Sequence, residues 1–190
     1  MHATTLCKVS PMLELVIAPD PIYKTICTPV AQVDDNVRAT LDAMMETLQA
    51  YEAMGLGAPM VGLTQRLVVV ELEDEAGVKH HYKMVNPVIT ERSAETSAME
   101  EGSLTFLGVS AMVTRPKDVT VTYLDEQGAQ QTLRASGLLS VCVQHEIDYL
   151  DGKTILDYQP PMKRDIMKRK MEKQKRLGPI PHVHGAHCNH

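Results

Sequence analysis

Residues 144–149 read Gln-His-Glu-Ile-Asp-Tyr and open like a pattern that holds metal in hydrolases. In H-E-x-x-H, two histidines four positions apart share one helical face and bind a divalent ion, with the glutamate between them as general base. His145 and Glu146 stand in the opening positions, but the residue that should close the pair is Tyr149. A phenol ionises only near pH ~10, and its ring carries the oxygen past the place an imidazole nitrogen would reach. Cys142, three residues before His145, lies near the same face and can approach a metal; its plainer reading is a small buried apolar residue. The C-terminal HVHGAHCNH brings His182, His184, His187, Cys188 and His190 close enough together to bind metal, or to form a flexible tail that collects it incidentally. His80 and His81, in a strand-like stretch, read as surface residues.

Two other stretches carry chemistry or bring backbone close to it. GLGAPMVG, residues 55–62, lies in a stretch, AMGLGAPMVG over 53–62, that reads as a turn-rich loop where backbone can approach closely, and EEGSLTF, residues 100–106, is the second. The elements that position them follow from periodicity. Residues 34–53 form a helix with Val37, Leu41, Met44, Met45 and Leu48 on one stripe and Asp34 or Asp35 as its cap. RLVVVELED, 66–74, is a buried strand that turns through EAGV into KHHYKMVNP, and 118–135 reads as a hairpin turning at Gly128. SGLLSVCVQHEIDYLDG returns to helical spacing between Ser136 and Gly152. A last helix begins after Pro160-Pro161, with Met162, Ile166 and Met171 near one face. The order predicts an α+β fold, mostly antiparallel sheets around a central motif-bearing helix.

The chain of 190 residues suits one sizeable domain, and its 44% hydrophobic and 23% charged content is that of a globular protein. No apolar run is long enough to span a bilayer, and the N-terminus has no basic segment leading into an apolar core, so neither a membrane nor secretion is expected. The four cysteines show no paired motif and read as reduced thiols in a cytoplasm. The net charge of −5 is divided: residues 1–160 sum to −11 and residues 161–190 to +6. A basic helix on an acidic body meets a polyanion or simply stays solvated.

In order and spacing, the three stretches resemble the peptide deformylase family, with its G-x-G-L-A-A-P-Q loop, E-G-C-L-S segment and Q-H-E-x-D-H helix. The resemblance runs from about residue 13 to 176 and takes in Pro87, Arg115 and the LLSVCVQHE lead-in. It implies the hydrolytic removal of the formyl group from the N-terminal methionine of nascent polypeptides, with Fe²⁺ or Zn²⁺ held by one cysteine and two histidines. By the same resemblance His145 matches a metal ligand, Glu146 the general base, and Gln144 and Asp148 their neighbours. Gly55, Leu56, Ala58 and Pro59 match the loop, while Glu101, Gly102 and Leu104 match the second segment; Gly55, Leu56, Gly102 and Leu104 become the substrate-binding candidates. Ser103 stands at the cysteine position, Tyr149 at the second histidine and Met60 at the oxyanion-stabilising glutamine, while Ala53 and Gly57 alter the loop. A serine hydroxyl gives no soft anionic ligand at neutral pH, and methionine donates no hydrogen bond. Losing one such donor alone costs roughly 10²–10³ in rate.

The resulting expectation is a deformylase-like cytoplasmic protein with impaired or lost metal-dependent activity. Its alternatives are a non-catalytic binder of a peptide N-terminus or partner, and a hydrolase of another N-acyl group through Glu146. The organisation expected is an extension over 1–12, the deformylase-like domain over 13–160, a basic helix over 161–177 and a His-rich tail over 178–190. Its partners would be a formyl-methionyl peptide N-terminus and, through the basic helix, the ribosome; neither membrane nor DNA is expected.

Overall fold

In the computed structural model, residues 12–74 and 76–178 are described. The His-rich segment with His182, His184, His187, Cys188 and His190 lies outside the described residues, as does nearly all of the 1–12 extension. The first helix, α1 (Asp35–Ala50), starts where Asp34 accepts a hydrogen bond from the Val37 N–H at 2.9 Å, a side-chain cap. Its expected stripe is its buried face, which packs on β2 (Leu67–Glu73). Leu67, Val68, Val69 and Val70 are all fully buried, so this strand has a covered face on each side.

A five-stranded antiparallel sheet grows from β2 in the order β1-β2-β3-β6-β7. Strand β1 is Gly55–Gly57, β3 is Lys79–Arg92, β6 is Asp118–Leu124 and β7 is Gln130–Ser136. Gly128, at φ 79°, makes the predicted turn between the last two, while the Asp125 carboxylate accepts from the N–H groups of Gln127 and Ala129. Two strands outside this sheet, β4 (Thr96–Glu101) and β5 (Ala111–Pro116), form a separate hairpin. The central helix α2 (Gly137–Leu150) packs against β1, β2 and β7, and α3 (Pro161–Leu177) closes the described chain. This is the expected α+β arrangement around one buried helix, and no helix of the described residues is long and apolar enough to cross a membrane.

Two expectations need correction. GLGAPMVG is not merely a loop: Gly55–Gly57 pairs with β2, and Ala58–Val61 forms a 3₁₀ turn that Gly62 ends at φ 79°. The buried face of α3 is Met167 and Met171, whereas Met162 and Ile166 are exposed. Both patterns fit a helical repeat, and the position of the body decides between them. Ser136 does precede α2, but its side chain makes no capping hydrogen bond.

Candidate functional site

Helix α2 is covered almost all round, with every residue from Ser140 to Ile147 buried. One face nonetheless opens on a cavity of about 350 Å³ lined by Cys142, His145 and Glu146, by Gly55 and Met60, and by residues 99–104. Strand β1 lies so close to the helix that a Cβ on Gly55 would sit 2.7 Å from Glu146 Oε1 and 2.8 Å from Cys142 Sγ. A glycine there is a packing requirement, since real Cβ atoms do not tolerate such distances. Gly102 and Leu104 also line the cavity, but Leu56 does not: its side chain is fully buried in the core. Alternation along β1 sends it to the face opposite Gly55.

Behind the cavity runs a hydrogen-bonded chain of charges. The Glu101 carboxylate joins His145 Nδ1 at 2.8 Å and accepts from Arg115 Nε and Nη2 at 2.6 and 2.9 Å. Arg115 Nη1 donates to Asp148 at 2.8 Å; Asp148 also accepts from the Tyr158 hydroxyl, and the guanidinium lies 4.9 Å over the Tyr158 ring. Glu101 and Arg115 are about as buried as core residues, so this pairing is what lets the charges stay inside. Burial pushes the Glu101 carboxyl up, but the hydrogen bonds from His145 and Arg115 outweigh it and hold it below the ordinary carboxylate range.

Glu146 has no such support. Among the described residues its Oε2 is buried without a hydrogen-bond partner, and burial pushes its pKa up to about 7, against the attraction of His145 and the nearby Gly57 backbone. The Cys142 thiol is likewise driven well above its usual range, first by burial and then by Glu146, so it is a protonated thiol rather than a thiolate ligand.

Tyr149 is fully buried and belongs to a cluster of rings. Its centroid is 4.9 Å from His145, edge to face, 5.5 Å from Tyr23 and 5.7 Å from Phe106. In a chain with one Phe, no Trp and six Tyr, three aromatic side chains thus meet at the residue where a ligand was expected. The Tyr149 hydroxyl is turned toward Ser103 without closing a hydrogen bond, and burial drives its pKa well above the ordinary value. Ser103 is instead 3.3 Å from the Thr105 hydroxyl.

Of the positions matched to metal ligands, only His145 keeps a residue type that serves as a zinc or iron ligand. Among the described residues, no group of three or more His, Cys, Asp and Glu side chains is arranged to hold a metal ion. His80 and His81 are half exposed beside Asp74 and Glu71, and neither lines this cavity. A three-ligand Fe²⁺ or Zn²⁺ centre does not fit this donor set. What spacing alone did not reveal is the Glu101–Arg115–Asp148 chain, because its members are brought together from β4, β5 and α2.

The family model for polypeptide deformylase matches residues 12–165. A protein of Rickettsia conorii described as peptide deformylase-like is 43% identical over 180 residues, 95% of this chain and 97% of that relative. A peptide deformylase of Rhizobium meliloti is 38% identical, covering 84% of this chain and 91% of its own. Among solved structures, the peptide deformylase of Ehrlichia chaffeensis superposes with a TM-score of 0.84 at 32% identity over 88% of this chain and 98% of that one. The same enzyme has been solved in complex with actinonin, and there the TM-score is 0.83.

Proposed function

This chain belongs to the polypeptide deformylase family, and within it we propose a protein that keeps the peptide-binding cleft and has lost metal-dependent hydrolysis. The family acts on formylated nascent peptides with a metal ion. The observation that carries the reading is Tyr149: its ring is built into the core beside His145, its hydroxyl is protonated and has no hydrogen-bond partner among the described residues, and it provides no third ligand. Ser103 and Met60 act in the same direction, removing the thiolate and the side-chain donor. The cavity beside α2 remains, with Gly55, Gly102 and Leu104 on its wall as the residues that would meet a peptide and Glu146 in its lining.

Formate release from formyl-Met-Ala-Ser, measured anaerobically after adding Fe²⁺ or Zn²⁺, tests the proposal. The expected result is no release above background, together with measurable binding of the same peptide or of actinonin. Metal-dependent release abolished by Glu146→Ala would overturn it. Hydrolysis of another N-acyl group through Glu146 is the competing reading, favoured by a carboxyl poised near neutral pH. Acetate release from acetyl-Met-Ala-Ser, abolished by Glu146→Gln, would decide for it.

The ribosome is proposed as a partner of α3 in the cytoplasm. Lys163, Lys168, Arg169, Lys170 and Lys173 are all exposed on this helix, and neutralising phosphates would give salt-dependent affinity.

A further inference from the structure

The twelve methionines of this chain sort sharply by depth. Among the described residues six are buried, Met84 and Met171 deepest in the core, and five are exposed: Met12, Met54, Met99, Met112 and Met162. Two of the exposed ones, Met54 at 47% and Met99 at 36%, belong to the wall of the cavity beside α2. Met99 lies on β4 two residues before Glu101, so strand alternation sends both side chains to one face. Their cross-strand neighbours on β5, Val113 and Ala111, are buried on that face. Met54 stands immediately before β1, and its backbone is fixed there because its carbonyl accepts from the Glu71 N–H at 2.9 Å.

With Met60 these residues give the wall three thioethers beside Leu104, Leu138 and Val141. A thioether is apolar and conformationally adaptable, which suits it to an apolar peptide side chain. Unlike the leucines and the valine, it is also open to oxidation by a hydroperoxide. Sulfur attacks one peroxide oxygen, the O–O bond breaks, and the proton of the transferred oxygen passes to the departing one. Sulfur loses two electrons and becomes a sulfoxide, while the hydroperoxide is reduced to water or an alcohol. The product is polar and chiral, and covering it with an apolar side chain desolvates its oxygen without giving it a donor. Met60 shares this wall but is 2% exposed, so depth separates it from the other two.

We propose that Met54 and Met99 form a paired oxidation site for hydroperoxides, and that their conversion to sulfoxides weakens the hold of the cleft on a peptide with an apolar first side chain. The inference rests on the reading that the cleft is kept, and it adds a chemical control to that site. The control is reversible, because methionine sulfoxide is reduced enzymatically, by one enzyme for each epimer.

Brief treatment of the full chain with hydrogen peroxide, removal of the peroxide and calorimetric titration with formyl-Met-Ala-Ser test it, with the oxidised residues located by peptide mass mapping. Met54 and Met99 should carry oxygen while Met60 and Met84 do not, and peptide affinity should fall at least about tenfold. Unmodified Met84, fully buried, marks the oxidised chain as folded. Methionine sulfoxide reductases of both epimer specificities, with dithiothreitol as reductant, should restore the affinity. Dithiothreitol alone should not, which separates sulfoxides from oxidised thiols of Cys27 and Cys142. Met54→Leu combined with Met99→Leu keeps an apolar wall of similar volume without either sulfur, so its affinities before and after peroxide should agree within about twofold. A tenfold loss in that double variant, or undiminished affinity in wild type carrying both sulfoxides, would overturn the inference and leave the kept cleft standing. Unmodified Met54 and Met99 beside oxidised Met112 and Met162 would overturn it as well. Absence of peptide binding before any peroxide is added would overturn the reading of the cleft, and this inference with it.

Discussion

A single ring decides much at this site. Tyr149 converts a ligand position into a core position, and its hydroxyl is carried inside with no hydrogen-bond partner among the described residues. Tyr149→Phe removes only that oxygen, so it should leave stability unchanged or raise it by about 1 kcal/mol, whereas Tyr149→Ala empties the ring cluster and should cost about 3–5 kcal/mol. Denaturant melts of the two variants check this, and a marked loss in Tyr149→Phe would mean the hydroxyl is engaged after all. Glu146 gives a second test, through pH. Its pKa of about 7 in the folded chain is above the ordinary 4.5, so the folded form holds a proton that the unfolded form has released between those values. The resulting stability is complete below 4.5 and lost as pH rises through 7, by on the order of 3 kcal/mol. Glu146→Gln should therefore be more stable than wild type at pH 8 and should flatten the decline; a wild-type curve that rises from pH 5 to 8 would contradict the account. Both residues could be singled out in the sequence from the broken H-E-x-x-H. Their surroundings could not, because the Tyr23 and Phe106 rings come from segments remote in the chain.

At the scale of elements, the critical contact is β1 on α2. Gly55→Ala places a methyl within 2.7 Å of the Glu146 side chain and 2.8 Å of the Cys142 side chain, so these side chains or the strand that faces them must shift. The expected cost is about 1–3 kcal/mol, with loss of peptide binding, read by thermal denaturation and by titration of the variant. An unchanged melt would show that the two elements are less tightly set than this. The helices were legible because their apolar spacing is local: Val37, Leu41, Met44, Met45 and Leu48 specify one face by themselves. Strand β1 was not, since three residues become a strand only by pairing with Val68, Val69 and Val70. The β4–β5 hairpin escaped for a related reason, as Thr96–Glu101 is rich in Ala, Met and Glu and has weak strand propensity of its own. In α3 the sequence put Met162 and Ile166 on one face with Met171, and only tertiary contact selects Met167 and Met171 as the buried pair.

For the whole molecule, the division of charge seen in the sequence maps onto a separate helix, α3, anchored mainly by two buried methionines. If this surface meets ribosomal RNA, reversing Lys168, Arg169 and Lys170 to glutamate should weaken co-sedimentation with ribosomes and reduce its salt dependence. Association that is unaffected by the triple change would remove α3 from the account. The family fold itself was readable from three short stretches in order; whether the chemistry survives was not, because it depends on what buries Tyr149 and on what faces Glu146. The most direct test is the metal content of the purified protein, by elemental analysis of the full chain and of a truncation ending at Leu177, after exposure to Fe²⁺ and to Zn²⁺. The account predicts far less than one metal ion per chain in the truncated protein, and stoichiometric uptake once Ser103→Cys and Tyr149→His are combined in it. About one iron or zinc per chain in the truncated wild type, lost in His145→Ala, would mean that a working metal centre has been rebuilt around α2.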